Sequence, residues 1–234
     1  MQTNDEPFKR VVMDIQKNIK EVLAQLPPQV RLVAVSKYHP VETIEAAYGA
    51  GQRVFGESRE QELSRKQAAL PKDIEWHFIG HLQTNKVKYI VPYIAMIEAV
   101  DSYKLLAEID RQAAKFGRNI PCLLEVHIAE EDTKYGFTFG SCRQMLEEGN
   151  WKELRHVTLS GVMGMATNTD DEEEIRREFR SLRAFFEELK AAFFKNSEAF
   201  REVSMGMSHD YPLAVEEGST MVRVGSKIFG ERAY

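Results

Sequence analysis

The chain has 234 residues, 43% hydrophobic and 29% charged, which is enough to bury one sizeable core and fits an ordinary globular protein. Its net charge of -5 excludes a general basic field that would hold a nucleic acid. No apolar run approaches the length of a membrane span, and "MQTNDEPFKR" has neither a signal-peptide nor a transit-peptide pattern, so a cytoplasmic location is expected.

The first element is a helix over Asp5 to Leu26. Val11, Val12, Ile15, Ile19, Val22, Leu23 and Leu26 recur at helical spacing, and Pro27-Pro28 ends the pattern. Short β-branched runs then alternate with helical patterns. Strands are expected at 31–36, 53–55, 76–79, 95–100, 121–128, 158–165, 202–207 and 221–225. Helices are expected at 41–49, 59–69, 85–91, 103–116, 141–149, 172–194 and 211–217.

Strands that alternate with helices run parallel, because a parallel pair needs a crossover connection. An open doubly wound sheet and a closed (β/α)8 TIM barrel both satisfy that order. The count of eight and the chain length favour the barrel, preceded by one extra helix. No Pro/Ser/Gly-rich linker divides the sequence, so a single domain over 1–234 is expected, with 1–28 as leading helix and turn. Gly49 and Gly51 suit a helix end and the turn after it. "DDEEE" (170–174) opens the longest helix, where acidic side chains oppose the positive end of the dipole. Ile175, Phe179, Leu182, Phe185, Phe186, Leu189 and Phe193 form the apolar stripe of that helix.

The active end of such a barrel lies at the C-terminal tips of its strands. Those tips carry Ser36 and Lys37, then Glu57 and Ser58, then His81, Gln83 and Asn85, then Asp101 and Ser102, then Glu125 and His127. "SGVMGMATN" and "VSMGMSHD" place glycines inside strand patterns, which marks close approach of another group. Ser208, Gly225 and Ser226 end the last two strands, where barrels often hold phosphate, although ordinary turn chemistry has the same composition. Cys122 and Cys142 have no metal-ligand or redox spacing, and both are expected as thiols. The histidines show no metal spacing either, so no metal is expected. His39, His77, His127 and His156 are expected as packed or surface residues, whereas His81 and His209 are better placed for a site.

Lys37 stands on the rim of a concave site. Withdrawal of solvent there favours the neutral amine, which attacks carbonyls to form a Schiff base. With a phosphate cup across the mouth, two ligands fit: a phosphorylated sugar, as in an aldolase, or pyridoxal 5'-phosphate (PLP). Spacing alone leaves both open.

The segments "AVSKYHP", "FGESREQE", "WHFIGHLQTNK", "LLEVHIAEEDTKYGF", "GVMGMAT" and "SMGMSHDYPLAVEEGSTMVRVGSKIFGER" resemble the pyridoxal phosphate homeostasis (YggS/PROSC-type) family over nearly the whole chain. The resemblance implies a barrel of the alanine racemase N-terminal-domain type with PLP held as a Schiff base on Lys37. It implies phosphate contacts from Ser208, Gly225 and Ser226, and Arg223 facing the pyridine nitrogen. It further implies Met205, Met163, Asn85 and His81 near the cofactor. Ser58 stands where the family usually has Asn, which puts a direct contact there in question. An arginine at the ring nitrogen keeps that nitrogen unprotonated and weakens carbanion stabilisation.

The function so implied is vitamin B6 and amino-acid homeostasis without strong catalysis, with an amino-acid racemase-like enzyme as the alternative. Apo-enzymes that need PLP are the expected recipients, and a monomer the default state. With nine residues after Gly225, no second, racemase-type domain is expected.

Overall fold

A computed structural model describes residues 5–130 and 135–231. Eight strands form a closed barrel in sequence order: β1 (Arg31–Val35), β2 (Val54–Glu57), β3 (Glu75–Phe78), β4 (Met96–Val100), β5 (Ile120–Glu125), β6 (Val157–Met163), β7 (Glu202–Ser204) and β8 (Met221–Val224). Every neighbouring pair is parallel, and β8 closes on β1 with Arg31 opposite Met221 and Ala34 opposite Val224. The eightfold alternation therefore closes, as the count of strands implies.

The crossovers are α2 (Val41–Gly49), α3 (Glu60–Ala69), α4 (Val87–Ile90), α5 (Tyr103–Ala114), α6 (Phe139–Glu148), α7 (Glu172–Phe193) and α8 (Tyr211–Glu216), with α1 (Asp5–Gln25) in front. The sequence pattern lacks two short elements, the 3-10 turn Asn150–Glu153 and a four-residue helix α9 (Ser226–Phe229). Both are shorter than the window in which helical periodicity can be read. Strands β5, β6 and β7 stop two to three residues short of their apolar runs, because the chain there turns over the barrel rim.

Helix α1 buries Ile15, Ile19 and Val22 while Val11 and Leu23 stay exposed, so its apolar stripe is narrower than its composition suggests. It lies across the seam of the barrel. The Asn18 side-chain amide donates to the Ile228 carbonyl at 3.0 Å, and the Tyr211 hydroxyl donates to Gln25 Oε1 at 2.5 Å. Helix α7 is capped by Asp171, whose side chain accepts from the Glu173 and Glu174 amides. The acidic first turn is thus a dipole-matched cap. Ile175, Phe179, Leu182, Phe185, Phe186 and Leu189 are buried beneath it, and Phe193 is partly so. Cys122 and Cys142 are buried free thiols. Among the described residues no helix is long and apolar enough to cross a membrane.

Two apolar layers result. The larger fills the space between barrel and helices; the smaller, of Val33, Met96, Ala99, Leu123, Met163 and Met221, lies inside the barrel. Glycines let the strands close. A Cβ on Gly161, at φ +151, would stand 1.8 Å from the Glu202 carbonyl oxygen on the next strand, and one on Gly164 would meet Leu182 at 2.8 Å. The close approach signalled by these glycines is that of neighbouring elements of the wall. Gly161→Ala should cost about 3 kcal/mol or more in urea unfolding. Gly117→Ala, at φ +60 with nothing within 4 Å of the new carbon, should cost about 1 kcal/mol.

Candidate functional site

Lys37 follows Ser36 at the tip of β1 and is half-buried. The next residue, Tyr38, has φ 68, the one positive value among the described non-glycine residues. The two residues that flank Lys37 are tied to one buried ionic cluster on β2 and α3. Lys66 Nζ donates to the Ser36 carbonyl, to Glu57 Oε1 and to Glu62 Oε1, each at 2.7 Å. Ser36 Oγ donates to Glu57 Oε1 at 2.6 Å, and the Tyr38 amide donates to Glu62 Oε1 at 2.6 Å. Burial pushes the Glu57 carboxyl up to about 6 against the opposing pull of Lys66 and Ser36.

A second polar chain crosses the barrel interior. Because side chains alternate along a strand, Arg223 of β8 points inward two residues before Gly225. Its Nη1 donates to Ser204 Oγ at 2.6 Å and its Nη2 to the Gly164 carbonyl at 2.9 Å. Ser204 Oγ donates in turn to Glu98 Oε2 at 2.6 Å, and Glu98 Oε1 lies 2.6 Å from His77 Nδ1. All four side chains are buried, with Glu98 fully so. Burial raises the Glu98 carboxyl, but His77, Arg223 and Ser204 together outweigh it and hold it below the ordinary carboxylate value. Burial also lowers Arg223, which Glu98, Asp210 and Glu125 oppose.

Glu125, at the end of β5, is the third feature. It is buried, its Oε2 has no hydrogen-bond partner, and the same holds for His127 Nδ1 two residues on. Burial and the neighbouring Asp101 push Glu125 up to about 7, with Arg223 pulling the other way.

At the β7–β8 side the Gly225 amide donates to Ser208 Oγ at 3.0 Å, so Ser208 and the 225–226 turn are adjacent. A Cβ on Gly225 would come within 3.1 Å of the Val35 carbonyl oxygen, which brings this turn beside the end of β1. Ser226 and Lys227 open α9, and their amides have no acceptor within that helix. Lys37, Arg223, Ser208, Gly225 and Ser226 therefore converge on the seam between the first and last strands.

The other expected residues are more dispersed. Met163 belongs to the inner apolar layer, whereas Met205 packs in the outer one. His81 is exposed, bonds Asp101 Oδ2 through Nδ1 at 3.0 Å and stacks on Tyr135 with ring centroids 4.0 Å apart. Ser58 and His81 share a cavity of about 280 Å³ with Arg59 and Gln83. Asn85 is exposed and lines a different cavity, beside Lys104 and Arg111 of α5. Residues 131–134 of "EEDTKYGF" and the last three residues lie outside the described residues. His209 is exposed and pairs with Asp210 at 3.3 Å.

Sequence reasoning overlooks Glu98, Glu62 and Lys66, whereas His77, expected as a packed or surface residue, is buried. A signal existed for Glu98, because a carboxylate in the middle of "MIEAV" demands a buried partner. None existed for Lys66, which looks like any solvated lysine on a polar helix until α3 is packed against β1 and β2.

The residues present fit a ligand that carries a carbonyl and a phosphate, such as PLP. The amine, the hydroxyl-and-amide turn and a buried guanidinium face one mouth, and Glu125 leaves a buried acceptor unused. Comparison with known proteins points the same way. The family model for the alanine racemase N-terminal domain matches residues 12–233. A pyridoxal phosphate homeostasis protein of Aquifex aeolicus is 40% identical over 205 residues, 87% of this chain and 88% of that protein. One from Mus musculus is 37% identical over 235 residues, 94% of this chain and 84% of that protein. The solved structure of PipY from Synechococcus elongatus with PLP bound is 38% identical, superposes with a TM-score of 0.84, and is covered fully by 92% of this chain. An alanine racemase of Clostridium difficile, at 15% identity and a TM-score of 0.75, shares the fold alone. The chain belongs to the alanine racemase N-terminal-domain family, in the branch of the pyridoxal phosphate homeostasis proteins.

Proposed function

We propose that the chain, as one domain over 1–234, binds pyridoxal 5'-phosphate through a Schiff base to Lys37 and serves its intracellular homeostasis rather than a strong reaction of its own. The observation that carries this reading is the convergence of Lys37, Arg223 and the Ser208/Gly225 turn on the barrel seam. The names of the relatives and the PLP-bound PipY structure support it.

In this reading Ser208 and the Gly225–Ser226 turn, whose Ser226 amide has no acceptor within α9, hold the phosphate, and Lys37 supplies the amine. Arg223 faces the ring nitrogen, and Met163 lines the floor. His81 and Ser58 stand at the outer wall, with Met205 behind the β7 wall and Asn85 beyond the rim. When bound, PLP supplies an electron sink, and the sink is strong only if its ring nitrogen is protonated. Arg223 already spends two donors on Ser204 and Gly164, and Glu98 keeps it charged, so it has no proton acceptor to offer that nitrogen. The chain's own residues thus favour holding the cofactor over activating it. A reversible bond suits handover to apo-enzymes, since another primary amine can displace Lys37.

A second reading, an amino-acid racemase-like enzyme, is favoured by one observation. Glu125 sits on β5, four strands from β1 in either direction around the ring, with a buried oxygen free of partners and a carboxyl raised to about 7. A group so poised can take and return a proton near neutral pH.

Borohydride reduction of the PLP-loaded chain followed by peptide mapping should place one pyridoxyl group on Lys37, and Lys37→Ala should lose it; labelling at another lysine overturns the assignment. Incubation with amino acids in deuterated water should give Cα exchange no faster than free PLP. Exchange that is fast, and that Glu125→Gln slows by about 100-fold, establishes the racemase-like reading instead.

Glu125 also predicts a pH dependence of the cofactor-free chain. Its carboxyl is held at about 7, above the ordinary 4.5, so the folded state keeps a proton that the unfolded state has lost between those values. Stability therefore falls as pH rises through that window. Glu125→Gln should be more stable than the native chain at pH 8 by about 3 kcal/mol, and the gain should vanish below the ordinary carboxylate pKa.

A further inference from the structure

The cluster behind Lys37 is an odd use of buried charge. Glu57, Lys66 and Ser36 are buried, and Lys66 uses all three of its donors on Ser36, Glu57 and Glu62. Buried ion pairs contribute little net stability compared with apolar packing of the same volume, so stability alone is a weak reason for this arrangement. What the cluster does control is backbone. It accepts or donates at the residue before Lys37 and at the residue after it, and leaves the lysine between them.

The residue after Lys37 sharpens the point. Tyr38 at φ 68 is in the left-handed region, which a non-glycine residue keeps only where its surroundings dictate it. Those surroundings are Glu62, which takes the Tyr38 amide proton, and Arg59, whose guanidinium carbon lies 4.8 Å from the centre of the Tyr38 ring. Arg59 thus covers the Tyr38 ring. Ser36 is fixed as firmly: its amide pairs with the Gly56 carbonyl at 3.1 Å, its carbonyl with Lys66 and its hydroxyl with Glu57.

We propose that Glu57, Glu62 and Lys66 are positioning residues that fix the Ser36–Lys37–Tyr38 backbone so that the Lys37 amine is presented to the carbonyl of a cofactor anchored at the adjoining turn after β8. This rests on the reading that Lys37 carries PLP. The gain is in effective concentration. Lysine has four side-chain rotors, and an anchored Cα with a fixed exit direction keeps the amine within reach of the carbonyl carbon each time the bond opens. The cluster acts through the backbone and touches neither cofactor nor reacting atoms, so it governs how much of the bound PLP is covalently linked and how quickly it leaves.

The test uses the full chain loaded with PLP, in native form and as Glu62→Gln and Lys66→Met. Three quantities are compared: total bound PLP, the fraction of it trapped on Lys37 by borohydride, and the rate of stripping by hydroxylamine. In that last step the carbonyl carbon of the cofactor passes from the Lys37 nitrogen to the hydroxylamine nitrogen, and Lys37 departs as an amine. Glu62→Gln should still bind PLP through its phosphate, but with a smaller trapped fraction and stripping about tenfold faster, at an unchanged melting temperature of the cofactor-free protein. Lys66→Met should show the larger effect, and if it fails to fold, Glu62→Gln decides.

Two results overturn the proposal: stripping of Glu62→Gln at the native rate, or loss of PLP only in step with loss of folded protein, which is a structural role. Absence of a pyridoxyl group on Lys37 in the native chain would instead sink the cofactor reading itself.

Discussion

Closure of eight parallel strands creates an interior that must be filled, and the filling chosen here is ionic. A guanidinium, a hydroxyl, a carboxylate and an imidazole run in hydrogen-bonded series from β8 through β7 and β4 to β3, inside a barrel that also holds a small apolar cluster. Unpaired, any one of the charges would cost several kcal/mol to bury. Paired in series, they fix Arg223 in one orientation and one charge state at the floor of the site. Removing Glu98 would leave Arg223 uncompensated, and removing Ser204 would break the link between them, so the floor is set by residues on four strands together.

The rim depends on that floor because the two sides of the mouth divide the work. On the β1–β2 side a buried cluster ties down the backbone on either flank of Lys37, while the β7–β8 side carries a neutral serine and glycine turn. Glu125 completes the ring from the far side with an acceptor that no protein group uses. Such a mouth combines a lysine, a serine and glycine turn and a carboxyl with an unused oxygen above a buried, fully committed arginine.

Much of this was legible in the order of residues. Eight β-branched runs alternating with helical ones imposed parallel pairing, and the strand tips then gave Lys37, Ser208, Arg223, Gly225 and Ser226 by position. What stayed hidden were partnerships across the barrel. Glu98 and His77 are 21 residues apart and Ser204 is 106 residues from Glu98, so no local pattern joins them. Nothing in the sequence singles out Lys66, because its burial depends on where α3 lies. Asn85 illustrates the reverse: its motif is distinctive, but the 3-10 turn Thr84–Lys86 carries it to the α5 side of the rim.

Helix α1 and the β1–β8 seam have a consequence for biosynthesis. Lys37 and the Gly225–Ser226 turn are far apart in the sequence and meet only when β8 docks beside β1, with α1 reaching across to the helices that follow β7 and β8. Contacts of such long sequence separation form late and slowly. A nascent chain emerging from the ribosome therefore carries Lys37 without the adjoining wall, and the two sides of the seam come together only when β8 is in place.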